Sequence, residues 1–145
     1  MKSGVLLDTG PLVAYFDQRE EHHEWAVETF ATLDLPAITC EAVLTEACFL
    51  VARTGRPASR IIDHVLGSEI RIGLHLDEEL SAITALMKRY ANVPMSLADA
   101  CLVRLAEMTG LPICTLDSDF NIYRAGRRRS LDLITPPSSR FLHEP

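Results

Sequence analysis

The sequence predicts a single α/β domain built on a mostly parallel central sheet, and three observations carry that expectation. Short apolar runs bounded by turn residues recur along the chain, and longer segments of helical periodicity separate them. The length, 145 residues, is close to the commonest domain size. A composition 48% hydrophobic and 23% charged supplies a substantial core and lies far from the disordered regime.

The first predicted strand is Val5-Leu6-Leu7, stopped by Asp8-Thr9-Gly10-Pro11. Pro11 suits the first position of a helix that runs through Phe16. Residues 22–33 form a second helical pattern, with Trp25, Val27, Phe30 and Leu33 as its apolar positions. A strand over 35–39 follows, then a strongly periodic helix from Glu41 to Arg53 with Gly55 just past its end. Pro57 opens another helix, for which Ile61, Ile62, Val65 and Leu66 are the expected buried face. Residues 70–76 read as a third strand. Residues 77–91 read as a helix whose leading acids, Asp77, Glu78 and Glu79, suit the positive end of its dipole. Ser96 caps a helix that Gly110 ends, and 111–116 and 130–135 are the fourth and fifth strands. Pro136-Pro137 then stops regular structure, so 1–145 reads as one domain with 136–145 as a C-terminal tail.

Several function classes are disfavoured at once. No apolar run approaches the roughly 20 residues that span a bilayer. The start, with Lys2 and three consecutive apolar residues, predicts neither signal peptide nor anchor. Cys40, Cys48, Cys101 and Cys114 show no C-x-x-C spacing, and read as small buried hydrophobes of a reducing cytoplasm. The net charge of −6 argues against a broad nucleic-acid-coating face. The bases are uneven, however. Arg124, Arg127, Arg128 and Arg129 crowd together, as a solvated turn or as a local phosphate contact.

Ligands of parallel α/β sheets sit outside the carboxyl ends of the strands. Asp8 follows the first predicted strand directly and Asp117 follows the fourth, with Asp119 two residues on. Two helical acids add to them. Glu46 has apolar neighbours Ala42, Val43, Phe49 and Leu50 at helical spacing, and Asp99 has Leu102, Val103 and Ala106. A carboxylate on a core-facing stripe is costly unless a cation or a positive side chain meets it. Each acid alone has a plainer explanation. Asp8 suits a helix N-cap, Asp117 a turn, Asp99 the capping box begun by Ser96, and Glu46 a pair with Arg53. Together, directed at one edge, four carboxylates would bind a cation or take up protons. An all-oxygen set selects a hard ion, Mg²⁺ or Mn²⁺, suited to phosphoryl transfer or hydrolysis. Thr9 and Thr115, flanking Asp8 and Asp117, can hydrogen-bond the carboxylates. His22-His23-Glu24 lies elsewhere and reads as an exposed run without a partner ligand motif.

The segments VLLDTGPLVAYFD, AITCEAVLTEACFLV, MSLADACLVRLAE and ICTLDSDFNIYR, in this order across nearly the whole chain, resemble the PIN domain family. Within that family they are similar to the VapC-type toxins of toxin–antitoxin pairs. The resemblance implies a three-layer sandwich with sheet order 3-2-1-4-5 and a Mg²⁺- or Mn²⁺-dependent endoribonuclease. It implies Asp8, Glu46, Asp99 and Asp117 as the acids of the metal site, Asp119 as a further candidate, and Thr115 as a supporting hydroxyl. It also implies an RNA substrate, a separate antitoxin and a homodimer, and cleavage leaving a 5′-phosphate and a 3′-hydroxyl. Housekeeping RNA processing and a non-catalytic binding module are the alternatives. Two other acid-bearing classes fail on single residues. A haloacid-dehalogenase-type phosphatase needs an acid where Gly10 stands, and a receiver domain needs a late lysine, whereas Lys2 and Lys88 are the only ones.

Overall fold

A computed structural model describes residues 3–137. Strand β1 (Val5–Leu7) lies at the centre, paired in parallel with β2 (Ala37–Thr39) on one side and β4 (Ile113–Cys114) on the other. Strand β3 (Ile70–Ile72) extends the sheet beyond β2, and β7 (Leu133–Ile134) beyond β4, both in parallel. The order is therefore β3-β2-β1-β4-β7, the expected 3-2-1-4-5 arrangement counted by the strands of this sheet. Val5, Leu6 and Leu7 are all buried, which is why the run is continuously apolar instead of alternating.

Six helices flank the sheet: α1 (Thr9–Phe16), α2 (His23–Thr32), α3 (Glu41–Arg53), α4 (Ser59–Leu66), α5 (Leu76–Arg89) and α6 (Leu97–Thr109). Helix α6 is the most deeply placed. Ala98, Ala100, Cys101, Leu102, Val103, Leu105 and Ala106 are buried as it packs on β1, α3 and α5. Small residues in its first turns let it approach the sheet closely. Ser96 caps its start, and Gly110 ends it at φ +72°, a left-handed conformation that favours glycine.

The structure departs from the sequence expectations at several points. Helix α1 begins at Thr9, with Asp8 as its N-cap, so Pro11 sits third. Proline is tolerated there because the first turn's N–H groups have no intrahelical acceptor. On α4 only Ile61 is fully buried. Val65 is half-buried, while Ile62 and Leu66 are exposed, because this short helix turns one face to α3, β3 and the aromatic end of α1 and the other to solvent. Strand β3 ends at Ile72, although Gly73 N–H still donates to the Thr39 carbonyl at 3.0 Å and the next residue, Leu74, is buried. A Cβ at Gly73 would collide with Ile38 Cγ2, so any larger residue there would have to displace that side chain. The predicted fifth strand is divided. Ser130 belongs with Arg129 to β6, which pairs antiparallel with β5 (Arg124–Ala125) in a hairpin, and only Leu133–Ile134 joins the main sheet.

Cys40, Cys101 and Cys114 are buried, Cys48 is half-buried, and all four are free thiols. His22 and His23 are half-buried instead of exposed, and His23 Nδ1 donates to the Ala14 carbonyl at 2.7 Å. No helix among the described residues is long and apolar enough to cross a membrane. Residues 138–145, most of the expected tail, lie outside the described residues.

Candidate active site at the carboxyl edge of the sheet

Because β1 and β4 are parallel neighbours, the residues that follow them emerge at the same edge. Asp8 N–H bonds the Cys114 carbonyl at 3.1 Å, which continues the ladder one residue past β1 and locks the Asp8 backbone. Its side chain is buried, with Oδ1 accepting from Thr9 N–H at 2.8 Å and Oδ2 from the Thr115 hydroxyl at 2.6 Å. Burial nevertheless raises its pKa from 3.8 to about 6 against the pull of those hydrogen bonds, and the charges of Asp99 and Asp117 add to the rise.

Asp117 caps a 3-10 turn, Ser118–Asn121, through its Oδ1, which accepts from Asp119 N–H at 2.9 Å. Its own N–H donates to Thr115 Oγ1 at 2.9 Å. Asp99 stands in the first turn of α6 as the acid of a capping box. Its Oδ2 accepts from Ser96 N–H at 3.2 Å and from the Tyr123 hydroxyl at 3.1 Å. Burial raises the Asp99 pKa, with Asp117 adding to it. The capping explanation is thus correct for Asp99, and it does not remove the residue from the acid cluster.

Glu46 lies in the second turn of α3, which begins just after β2 and therefore at the same edge. Its Oε2 accepts from the Thr9 hydroxyl at 3.5 Å. Partial burial raises its pKa first, and the charges of Asp99 and Asp117 raise it further. The buried-stripe expectation needs correction. Val43 is buried, but Phe49 is 62% exposed and Leu50 lies partly open, so Glu46 borders solvent. Arg53 does not pair with Glu46. Its guanidinium lies over the Phe49 ring, 5.7 Å from the centroid.

Asp8, Glu46, Asp99 and Asp117 are thus brought to one edge, where the charges of Asp99 and Asp117 act on both Asp8 and Glu46, and the Thr115 and Thr9 hydroxyls bond Asp8 and Glu46 respectively. Asp119 stands in the adjoining turn, close enough for its charge to raise the Tyr123 pKa. Among the described residues, no three His, Cys, Asp or Glu side chains stand close enough to enclose a common ion as they sit. The donor set still fits a hard divalent ion. Every ligand atom is oxygen, and Glu46 Oε1, Asp99 Oδ1 and Asp117 Oδ2 have no protein donor among the described residues.

The arginines do not behave as one group. Arg124 donates through one guanidinium nitrogen to the carbonyls of Asn121, Ile122 and Tyr123 and so closes the turn after Asp117. Arg127, Arg128 and Arg129 are exposed on the β5–β6 hairpin, near the far end of α6. Tyr123 is the residue that sequence reading missed. It is fully buried, and its hydroxyl reaches Asp99 across 24 residues of sequence. No spacing rule announces such a contact.

A parallel α/β sheet whose carboxyl edge gathers mutually repelling carboxylates defines an acid-cluster α/β protein. The chain belongs to the PIN domain family, whose model matches residues 5–126. Among solved structures it is similar to Mycobacterium tuberculosis VapC20, described as a Sarcin-Ricin loop cleaving toxin. That match has a TM-score of 0.75 at 19% identity, covering 86% of this chain and 99% of that one. It is also similar to PAE2754 from Pyrobaculum aerophilum, with a TM-score of 0.52 at 22% identity over 90% of this chain and 92% of that one. Both likenesses are likenesses of fold. The comparison with curated protein sequences gives no match.

Proposed function

We propose that the chain is a Mg²⁺- or Mn²⁺-dependent endoribonuclease and the toxin of a VapBC-type pair, working in the cytoplasm as a homodimer that a separate antitoxin restrains. The single observation that carries the reading is electrostatic. Asp8, Glu46 and Asp99 all have pKa values raised chiefly by burial, with the charge of at least one other acid of the set adding to each, in a chain of the PIN family. A divalent cation bound among such acids would offset both their burial and their mutual charge.

Asp8, Glu46, Asp99 and Asp117 would hold the ion, with Asp119 as a further candidate. When bound, it supplies Lewis-acid polarisation of a phosphate and a more acidic water. The remaining work belongs to the chain's own residues. Thr115 Oγ1 donates to Asp8 Oδ2 and itself accepts from the Asp117 amide, so it sets the spacing of two strand ends. Thr9 orients Glu46, and Ser96 with Tyr123 holds Asp99 by Oδ2, leaving Oδ1 available. The similarity to a toxin that cleaves the Sarcin-Ricin loop makes RNA the substrate to test first.

The test is to incubate purified protein with total bacterial RNA and Mg²⁺ or Mn²⁺, then map new 5′-phosphate ends. Discrete new ends in the presence of either ion are expected. Their absence with both ions would contradict the proposal.

A further inference from the structure

The arginine hairpin is set apart from the acid cluster by the length of a helix. Its root is at the cluster, since Tyr123, the residue before β5, donates to Asp99 in the first turn of α6. Its tip is at the other end of the same helix, where Gly126 N–H donates to Glu107 Oε2 at 2.8 Å. Asp99 and Glu107 are eight residues apart on α6, a rise of ~12 Å. Two further bonds hold the hairpin against α5. Arg124 N–H donates to the Tyr90 hydroxyl at 3.0 Å, and Arg89 donates to the Gly126 carbonyl at 2.8 Å. The tip is therefore presented at a fixed distance from the acids.

An open cleft of about 620 Å³ lies at this tip, lined by Arg104, Glu107, Arg127, Arg128 and Arg129. Glu107 is already engaged by Arg104, at 3.4 Å, and by the Gly126 amide. No salt bridge holds Arg127, Arg128 or Arg129 among the described residues. An acidic chain that leaves three arginines unpaired in one cleft has concentrated its positive charge there.

We infer that the hairpin tip is a phosphate-binding exosite that grips the RNA backbone a few nucleotides from the scissile bond, one length of α6 away from the acids. The inference rests on the ribonuclease reading and adds a substrate requirement to it. The RNA must extend beyond the reacting phosphate on one side, and a very short oligonucleotide cannot use the tip. Arginine suits the task because its planar fork pairs bidentately with phosphate.

The test compares wild type with the triple variant R127S/R128S/R129S, using fluorescein-labelled single-stranded RNAs of 20 and 4 nucleotides. Anisotropy is followed at several salt concentrations in excess chelator, where the wild type is expected to leave RNA uncut. The substituted side chains are exposed and make none of the anchoring bonds, so an unchanged melting temperature verifies the fold. The triple variant is expected to bind the 20-mer at least tenfold more weakly, with the salt slope reduced by about 2. Binding of the 4-mer is expected to stay the same. An unchanged 20-mer affinity, the result if the tip serves an acidic protein surface instead, would overturn the inference, as would equal weakening with both RNAs. If the triple variant matches wild type while wild type still cleaves RNA, only the exosite fails. If wild type neither binds nor cleaves RNA, the ribonuclease reading fails with it.

Discussion

The Thr115 hydroxyl donates to Asp8 Oδ2 at 2.6 Å, joining two strand ends that lie 107 residues apart in sequence. The Thr115 Oγ1 that donates this bond itself accepts from the Asp117 amide. One buried hydroxyl thereby fixes the relative positions of two acids of the cluster.

Thr115→Val keeps the shape and removes both bonds. Asp8 Oδ2 loses its donor and the Asp117 amide loses its acceptor, so a destabilisation of about 1–3 kcal/mol is expected in denaturant unfolding. RNA cleavage should fall at least tenfold, and Thr115→Ser should restore most of both. A valine variant as active and stable as wild type would show that this tie has no role.

The raised pKa of Asp8 makes the metal-free protein sensitive to pH. Between 3.8 and about 6 the folded chain keeps a proton that the unfolded chain has released, so stability falls as pH rises through that window. The change is on the order of 3 kcal/mol at most, and the raised values of Glu46 and Asp99 act in the same direction. Melting in chelator is expected at a higher temperature at pH 5 than at pH 7, and Asp8→Asn should flatten the profile. Adding Mg²⁺ should raise the midpoint at pH 7 and have much less effect at pH 5, where protons compete for the same oxygens. A metal-free profile that rises from pH 5 to 7 would contradict the assigned burial.

Ser96 and Asp99 separate capping from chemistry. Ser96→Ala removes the hydroxyl that accepts from Asp99 N–H at 3.1 Å and should cost about 1 kcal/mol of stability, with cleavage within a few-fold of wild type. Asp99→Asn keeps an oxygen for Ser96 and Tyr123 but removes the charge. It should leave the melting temperature equal or higher and lower cleavage at least a hundredfold. Equal losses of activity in the two variants would reduce Asp99 to a cap.

Much of this arrangement was legible before the structure. The run Val5-Leu6-Leu7 followed by Asp8 places an acid at a strand end whenever the strand is buried and parallel. The edge shared by Asp8 and Asp117 follows from the alternation of strands and helices, and the five-strand order from the resemblance to the PIN family. What stayed hidden depends on contacts remote in sequence. The apolar residues of α4 gave no sign that Leu66 would be exposed, since periodicity identifies a face and not what covers it. The run 130–135 looked like one strand because β-propensity does not reveal which neighbour a residue pairs with. The arginine group read as adjacent to Asp117 in sequence, whereas the hairpin carries its last three members along α6.

The most direct measurement is cleavage of RNA by wild type and Asp8→Asn, each in Mg²⁺ and in excess chelator. Cleavage by wild type in Mg²⁺ alone is expected, with none in chelator and a loss of at least a hundredfold in the variant. Cleavage that persists in chelator, or that survives Asp8→Asn, would contradict a metal site built on Asp8, Glu46, Asp99 and Asp117.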